Sequence, residues 1–434
     1  MASAFWRSSV RRISKSVLEP LIHRRRWYSS KPRRFAALWG NGDYGRLGLG
    51  SLESRWKPTV CPFFRDDHPV SIVCGGAHTL FLTESGRVFA TGLNNFGQLG
   101  ITSSKSHTLV PVEIFGLPEK VVEISAGYHH SCAITDNGKL FVWGDNSSGQ
   151  LGLGRKAGKT VSSPTKVDCL VDVTVRMAAL GAEHSIVVTD EGNVLSWGAG
   201  GAGRLGHGHQ SSILGFYVSS SECTPRLIKY FDAIKIKRIA AGMLHSACVD
   251  EQGIVYIFGE RTVKKMGFGR TNNASTPSAM KELPFSSAVA CGGYHTCLCF
   301  GSRDLLKLFV VECACKVKEN CTHGVQMKMA ASVLDMVRTP QCVKKSSFRF
   351  PVSEVSCGWK HTAVISGRRV FTWGWGGANG TFFEDGHSSG GQLGHGNDID
   401  YFEPTMVNFS HNVKALHVSC GFNHTGAIFE YSET

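Results

Sequence analysis

Long apolar runs, paired cysteines and dense charge are all scarce in this sequence of 434 residues. The longest apolar stretch, Leu305 to Val311, has a lysine inside it and is far shorter than the roughly 18 residues that span a membrane. Charged residues make up 19% of the chain, against about 25% in average globular proteins, and apolar residues make up 42%. This composition excludes a disordered chain. The sequence therefore predicts a folded protein without a transmembrane segment.

The 15 cysteines do not suggest a disulfide framework. Their number is odd, no Cys-x-x-Cys pair occurs and no secretory leader is recognisable, which indicates a reducing compartment. Four of them precede a glycine of the repeat described below, where a small buried side chain fits, and we interpret these as packing residues: Cys74, Cys291, Cys357 and Cys420. A further group has a spacing that matches no standard zinc pattern: Cys313, Cys315, Cys321 and His323.

Positive charge is concentrated at the N-terminus. Residues 1–34 hold eight arginines and two lysines against Glu19, which leaves +4 of the net charge of +13 for the other 400 residues. The segment is also rich in serine and has apolar residues at helical spacing from Trp6 to Leu21. These features are typical of a mitochondrial transit peptide, and the run from Arg26 to Ser30 resembles its processing site. The alternative is a basic arm that binds nucleic acid.

One pentapeptide, Gly-x-x-His-Ser/Thr, recurs seven times. Its histidines are His78, His130, His184, His245, His295, His361 and His424. A spacing of 50 to 66 residues between them indicates a repeat architecture.

Each copy continues as a β-hairpin. After His130 an alternating run leads to the turn Asp136-Asn-Gly138, and a second alternating run ends at Trp143-Gly144. A second glycine motif follows, as Gly149-Gln-Leu-Gly152. Such a unit is a small sheet that cannot bury both faces alone, but copies arranged radially bury them against one another. The repeat therefore predicts an all-β fold, a seven-bladed β-propeller.

The two ends of the chain complete each other. The last copy stops at Thr434 without its aromatic-Gly half, whereas the segment from residue 35 supplies that half as Trp39-Gly40, followed by Gly45-Arg-Leu-Gly48. We expect the N- and C-terminal strands to pair and to close residues 35–434 into one ring without free sheet edges.

One blade, around residues 289–350, departs from the repeat. After Cys299 the turn, the aromatic-Gly pair and the second glycine motif are all missing before the next blade begins at Glu354. We interpret residues 303–345 as the trace of a splice variant or a misplaced exon boundary. A divergent blade and a functional insertion are the alternatives.

The repeat histidines are interpreted as structural, because a ring of blades holds them too far apart to share one metal, whereas each can tie its blade to the next. Two glycine-rich strings, Gly40–Gly45 and Gly198–Gly203, match the dinucleotide fingerprint, but loop sequence follows them in place of a helix. The string Gly152–Thr160 lacks one glycine of a phosphate-binding loop. We therefore expect no catalytic, cofactor-binding or metal residues, no cofactor and no covalent catalysis.

The pentapeptide, the aromatic-Gly pair and Gly-Gln-Leu-Gly at this period resemble the repeats of the regulator-of-chromosome-condensation family. The resemblance covers residues 35–434 apart from part of one blade, and the N-terminus makes the chain most similar to the plant mitochondrial members. The string Gly358-Trp359-Lys360-His361-Thr362 resembles the tryptophan motif of the family's ultraviolet photoreceptors. Those carry several such tryptophans and this chain has one, so we expect no photoreception.

The longest loop follows His361, where Gly391 comes 17 positions after Gly374, whereas Gly149 comes five positions after Gly144. Exposed aromatic side chains beside charges suit contact with a partner. The candidates for partner binding are Trp359, Lys360, Trp375, Phe382, Phe383, Asp385 and His387. A solvated glycine-rich loop without a partner is the alternative.

The resemblance to mitochondrial relatives implies an interaction scaffold of the matrix that supports organelle gene expression, through RNA processing or intron splicing of respiratory complex I transcripts. Its partners would be mitochondrial proteins or a ribonucleoprotein. The founding activity of the family implies an alternative, guanine-nucleotide exchange on a small or mitochondrial GTPase. Direct RNA binding is disfavoured by the charge of only +4 outside residues 1–34.

Overall fold

The computed structural model describes most of the chain from Arg34 onward. The described residues are 34–64, 67–208, 211–213, 216–218, 221–260, 274–281, 283–300, 307–312, 341–343, 347–377, 390–409 and 412–432. Their regular structure consists of strands and four short 3₁₀ helices, Asp43–Gly45, Asp168–Leu170, Gly201–Gly203 and Lys229–Phe231. No helix in these ranges has the length and apolar character needed to cross a membrane.

The strands form seven four-stranded antiparallel sheets, numbered here along the chain. Strands β1 (Arg34–Gly40) and β2 (Arg55–Val60) belong to sheet 7. Sheet 1 comprises β3 (Pro69–Cys74), β4 (His78–Thr83), β5 (Val88–Leu93) and β6 (His107–Glu113). Sheet 2 comprises β7 (Val121–Ala126), β8 (His130–Thr135), β9 (Leu140–Asp145) and β10 (Thr160–Lys166).

Sheet 3 contains an inserted hairpin. Its strands are β11 (Val175–Leu180), β12 (His184–Thr189), β13 (Val194–Gly198) and β16 (Glu222–Leu227). Between β13 and β16 the chain forms a separate two-stranded sheet of β14 (Ser211–Ile213) and β15 (Phe216–Val218). Sheet 4 comprises β17 (Ile236–Ala241), β18 (His245–Asp250), β19 (Val255–Gly259) and β20 (Ala274–Ala279).

Sheets 5 and 6 follow along the chain. Sheet 5 comprises β21 (Ser286–Cys291), β22 (His295–Phe300), β23 (Lys307–Glu312) and β24 (Gln341–Cys342). Sheet 6 comprises β25 (Val352–Cys357), β26 (His361–Ser366), β27 (Arg369–Gly374) and β28 (Tyr401–Met406).

Sheet 7 is built from both ends of the chain. The last strands, β29 (Val413–Cys420) and β30 (His424–Tyr431), join β1 and β2 in the order β2-β1-β30-β29. Strand β1 pairs with β30 along its whole length, with Ala37 opposite Ala427.

The hydrophobic core lies between neighbouring sheets. One buried cluster joins Ile134 and Val142 of sheet 2 to Val175 and Val187 of sheet 3, and other clusters join sheets 1 and 2 and sheets 3 and 4 in the same way. Strand β8 is buried at every residue because both of its faces are covered. Each sheet therefore depends on its neighbours for burial, as expected of a radial repeat.

Six of the seven sheets are regular blades and one is incomplete. The predicted count of seven blades is therefore wrong. In the six regular blades the repeat histidine pairs with a glycine, as His130 does with Gly144. In sheet 5, Glu312 lies opposite His295, and the outer strand β24 pairs at two positions only.

The missing glycine explains the difference. Gly144 has φ of 110°, a conformation that allows the register shift between β9 and β10, and sheet 5 has no such residue on β23. The structure thus corrects the predicted seven-bladed propeller to six regular blades and one incomplete sheet, which falls in the region predicted to be degenerate.

Candidate functional site

A closed ring of hydrogen bonds links the seven sheets. The Nε2 atom of each repeat histidine lies within hydrogen-bond distance of the first hydroxyl of the next sheet's β-hairpin. The pairs are His78–Ser131 (2.9 Å), His130–Ser185 (3.2 Å), His184–Ser246 (2.8 Å), His245–Thr296 (2.9 Å), His295–Thr362 (2.8 Å), His361–Thr425 (2.9 Å) and His424–Thr79 (2.9 Å). All seven histidines are buried.

The direction of the hydrogen bond in each pair follows from the second contact of the hydroxyl group. The Ser131 hydroxyl donates its only proton to the carbonyl of Gln98 at 2.9 Å, so His78 donates to Ser131 through Nε2–H. Burial lowers the pKa of His78 to about 3 and that of His130 to about 4. These histidines are therefore neutral near pH 7. They act as hydrogen-bond donors between neighbouring sheets.

The first glycine of the pentapeptide makes room for the histidine. A Cβ on Gly127 would lie 2.5 Å from Cε1 of His130 and 2.5 Å from the carbonyl oxygen of Gly181 in the next sheet. The following N–H, from Tyr128, donates to that same carbonyl at 3.1 Å. Only glycine allows this close approach of neighbouring sheets.

The other two motifs also join neighbouring sheets. The indole Nε1 of Trp143 donates to the carbonyl of Gln98 at 3.0 Å, and Gln98 belongs to the Gly-Gln-Leu-Gly motif of the preceding sheet. Trp197 makes the same bond to Gln150, and Trp39 makes it to Gln392. The repeat motifs therefore supply the contacts of the ring, and functional side chains have to be sought at the positions between them.

The second residue of the pentapeptide is one such position, and its seven copies surround the mouth of the central channel. The channel holds a cavity of about 230 Å³ lined by the innermost strands of all seven sheets. The second residue of every pentapeptide also lines it: Gly76, Tyr128, Ala182, Met243, Gly293, Trp359 and Phe422. Three of the seven are aromatic, and they belong to sheets 2, 6 and 7.

The aromatic residues form a contiguous cluster. Trp359 stacks on Phe422 with ring centroids 4.1 Å apart and 13° between the planes, and Tyr128 meets Phe422 edge-on at 5.3 Å. The Nζ of Lys360 lies 4.2 Å from the ring centre of Trp359 and 5.1 Å from that of Trp375. Such cation–π contacts fix the ammonium over the aromatic faces. We call Tyr128, Trp359, Lys360, Trp375 and Phe422 the channel-mouth cluster.

Polar groups hold this cluster in place. Burial lowers the pKa of Lys360, and the nearby Asp400 carboxylate partly offsets that shift. Burial raises the pKa of Asp400, which accepts a hydrogen bond from the N–H of Gly376 at 2.8 Å. The carbonyl of Trp375 accepts from Gln392 at 2.7 Å. Within the described part of the chain, the buried indole N–H of Trp359 has no partner.

Two buried arginines support the rim at other points. Arg46 and Arg204 stand where other copies of the second glycine motif have glutamine. The Nη1 of Arg46 donates to the carbonyl of Gly76 at 3.4 Å, and that of Arg204 donates to the carbonyl of Met243 at 3.3 Å. Burial lowers the pKa of Arg46 to about 10, which leaves it charged at neutral pH. Two buried guanidinium groups thus hold the backbone carbonyls of two channel-lining residues.

The structure brings together three of the residues proposed from the sequence for partner binding, Trp359, Lys360 and Trp375. The other four, Phe382, Phe383, Asp385 and His387, lie outside the described residues. Sequence reasoning missed Tyr128 and Phe422 as candidates. Their shared place in the pentapeptide was the available signal, because equivalent positions of a ring face the same channel.

The glycine-rich strings do not precede helices long enough to bind a phosphate. Gly40–Gly45 runs into the three-residue 3₁₀ helix Asp43–Gly45, and Gly198–Gly203 runs into Gly201–Gly203. The string Gly152–Thr160 leads from β9 to β10. The group Cys313, Cys315, Cys321 and His323 lies outside the described residues.

Comparison with known proteins agrees with these motifs. Residues 36–427 match the family described as RCC1-like domain. The chain is 29% identical to the regulator of chromosome condensation of Mus musculus, over 95% of this chain and 94% of that protein. It is 28% identical to the ultraviolet-B receptor UVR8 of Arabidopsis thaliana, over 90% of this chain and 70% of the receptor.

Some relatives are far longer, and the chain spans only 5% of the E3 ubiquitin-protein ligase HERC2 of Homo sapiens. The solved structure of Prp20p from Saccharomyces cerevisiae, described with its binding properties to Gsp1p and histones, shares the fold. Its TM-score is 0.72 at 20% identity, over 94% of this chain and 93% of that one. The extent of the family match and the ordered repeat motifs lead to one conclusion: the chain belongs to the RCC1-like domain family.

Proposed function

We propose that the protein is an interaction scaffold of the mitochondrial matrix that binds a protein or ribonucleoprotein partner through the channel-mouth cluster and thereby supports organelle gene expression. The observation that carries the binding surface is the stack of Trp359 on Phe422 with Lys360 above it. Rigid aromatic side chains provide large contact areas at a low cost in conformational entropy, and they dominate binding hot spots.

The location and the process rest on other features. The arginine- and serine-rich segment of residues 1–34 supports import into mitochondria. The resemblance to mitochondrial members of the family supports a role in RNA processing, with intron splicing of respiratory complex I transcripts as the specific proposal. Such a scaffold requires no covalent catalysis.

The test compares two variants expressed in place of the depleted protein. Trp359→Ala combined with Phe422→Ala removes the stack, and alanine is compatible with this position because Ala182 occupies it in sheet 3. Phe115→Ala is the matched control, since Phe115 is 75% exposed and lies away from the channel. Affinity purification from mitochondria identifies bound proteins and RNA, and splicing of complex I transcripts is measured in parallel.

We expect the stack variant to lose its partners and to leave introns unspliced, while the Phe115 variant restores both. Equal partner recovery by the two variants would contradict the binding surface. Normal splicing after depletion would contradict the process, and an unimported protein would contradict the location. Salt-sensitive RNA retention by the purified protein would indicate direct RNA contact.

A second candidate function is guanine-nucleotide exchange on a GTPase. One observation favours it: the hairpin of β14 and β15 stands outside the seven sheets, between β13 and β16. Exchange requires only a rigid projection that wedges open the nucleotide site of the GTPase. The solved relative Prp20p is described with its binding to Gsp1p, which supports a GTPase as the kind of partner.

Nucleotide release distinguishes this candidate from the scaffold. Purified protein is added to mitochondrial GTPases loaded with a fluorescent guanine nucleotide, beside a variant in which residues 211–218 are replaced by a short glycine–serine linker. Acceleration that is lost in the variant would establish exchange. Release at the intrinsic rate with both proteins would leave the scaffold as the function.

A further inference from the structure

Two thiols and an imidazole meet at the boundary between sheets 5 and 6. His295 and Cys297 lie on β22, and Cys357 lies at the end of β25. Their potential ligand atoms all lie within 4.8 Å of one another, and the three residues are 2%, 0% and 9% exposed. Among the described residues, this is the one buried group of histidine, cysteine or acidic side chains so arranged.

The repeat supplies six internal comparisons for this group. At every boundary the ring histidine is accompanied by the residue two positions after it and by the residue before the first glycine of the next copy. At the other six boundaries these two residues are Leu80 and Ala126, Cys132 and Leu180, Ile186 and Ala241, Ala247 and Cys291, Ala363 and Cys420, and Gly426 and Cys74.

No other boundary therefore has two thiols beside its histidine. The other six boundaries between sheets form without a second thiol, and alanine occurs in other copies at the position of Cys297 and at the position of Cys357. The pair of cysteines is consequently not required by packing.

We propose that His295, Cys297 and Cys357 bind a Zn²⁺ ion that joins sheets 5 and 6. Two cysteines and one histidine are a zinc ligand set that leaves a fourth position for water or a hydroxyl group. The hydroxyl of Thr362 lies 2.8 Å from Nε2 of His295 and 3.9 Å from the Cys297 sulfur. Zinc bound to Nε2 would replace the hydrogen bond between His295 and Thr362, and the freed hydroxyl could then fill the fourth position. Ligand atoms of a tetrahedral zinc site are separated by roughly 3.3–3.8 Å, so small side-chain rotations bring these atoms into place.

Charge balance favours a divalent ion. A cysteine binds zinc as the thiolate, so each of the two thiols gives up its proton when the metal binds. Binding one Zn²⁺ releases two protons to solvent and forms a neutral complex with the two thiolates, whereas Cu⁺ would leave a buried negative charge. Cys357 also lines the central channel, which gives the ion a path to the site.

The position of the site indicates its role. Sheet 5 is the incomplete sheet, with an outer strand of two residues. It lacks the Gly-Gln-Leu-Gly motif, whose glutamine carbonyl accepts the indole hydrogen bond of the following sheet at other boundaries. A metal bridge from β22 to β25 would stabilise a boundary that lacks this contact. We therefore expect the ion to be structural.

The test uses the full-length protein freed of metal by a chelator. Titration with Co²⁺ reports thiolate ligation through its charge-transfer absorption, and Zn²⁺ affinity is measured by competition with a chromophoric chelator. The variants are Cys297→Ala and Cys357→Ala. Both are expected to fold, because alanine is native at the corresponding positions Ala247 and Ala126. The matched controls are Cys132→Ala and Cys420→Ala, each removing a single thiol beside another ring histidine.

We expect one Zn²⁺ per chain, an affinity lowered by about 100-fold or more in each variant, and wild-type affinity in the controls. Added Zn²⁺ should raise the unfolding temperature of the wild-type protein and of the controls but not that of the variants. The absence of cobalt charge transfer in the wild-type protein would overturn the proposal. Unchanged zinc affinity in both variants would do so as well.

Discussion

His424 donates a hydrogen bond through Nε2 to the hydroxyl of Thr79 at 2.9 Å, although 345 residues separate them along the chain. The Thr79 hydroxyl in turn donates to the carbonyl of Arg46 at 2.7 Å. With the pairing of β1 and β30, this contact completes the hydrogen-bond ring. Every sheet is therefore held on two sides, and the contacts that hold it are the conspicuous motifs of the repeat.

Acid should destabilise the protein through the ring histidines. Burial lowers the pKa of His78 and His361 to about 3 and that of His130 to about 4, against about 6.5 in an unfolded chain. The unfolded state therefore binds more protons as pH falls. The stabilising contribution of these neutral histidines is fully present above about pH 6.5 and is lost as the pH falls toward 3–4. The free energy of unfolding falls by about 1.4 kcal/mol per pH unit for each histidine that is protonated in the unfolded state and neutral in the folded state. Urea unfolding between pH 7.5 and pH 4.5 measures this slope, and a flat profile would contradict it.

Replacing one ring hydroxyl should leave a buried donor without its acceptor. Ser185→Ala removes the partner of His130 and the donor to the Gln150 carbonyl. We expect a loss of about 1–3 kcal/mol in the free energy of unfolding. Ser163→Ala, at an exposed position on β10, is the control and should change stability by less than about 0.5 kcal/mol. Urea unfolding compares the two, and equal effects would argue against the ring.

The first glycine of the pentapeptide should not tolerate a side chain. In Gly127→Ala the new Cβ would lie 2.5 Å from a backbone oxygen of the next sheet, so the two sheets would have to separate. We expect a loss of at least about 3 kcal/mol or failure to fold. At Gly158 the nearest atom to a Cβ is 3.4 Å away, so Gly158→Ala should be close to neutral. Thermal unfolding of both variants tests this difference.

Joining the ends of the ring should preserve it, whereas cutting its last strand should destroy it. Arg34 pairs with Glu430, so a short linker can connect Tyr431 to Arg34. A circular permutant with new termini in the exposed loop at residues 102–106 should therefore fold with its sheet content intact. Deletion of residues 424–434 removes β30 and leaves β1 and β29 without their shared partner. Circular dichroism and size-exclusion chromatography should show an expanded or aggregated chain for the deletion. A compact deletion variant would contradict closure by sheet 7.

The fold could be predicted because its determinants recur at fixed intervals. Gly127, His130 and Trp143 each have counterparts in other copies, and a repeated pattern identifies a contact even when its partner is unknown. The incomplete sheet was recognisable for the opposite reason, since its motifs are absent. What the pattern did not reveal was that β23 and a two-residue β24 still form a sheet there, because their pairing does not depend on any repeat motif.

The candidate sites were harder to predict because their residues vary from copy to copy. Tyr128 and Phe422 belong to pentapeptides far apart in sequence, and only closure of the ring brings their side chains together. Cys297 and Cys357 likewise belong to different copies and meet across a boundary. A periodic pattern shows what copies share, whereas binding depends on the positions where they differ.

The ring of sheets can close only after the last strand, β30, is available to pair with β1. As the chain is synthesised, β1 and β2 emerge before the other strands, and the second edge of β1 has no partner until β30 arrives. Until then the molecule is an open arc with an unpaired edge at each end, and closing so long a loop is slow. A chain that lost its final residues would keep those edges exposed, so the same pairing that seals the ring also distinguishes finished molecules from unfinished ones.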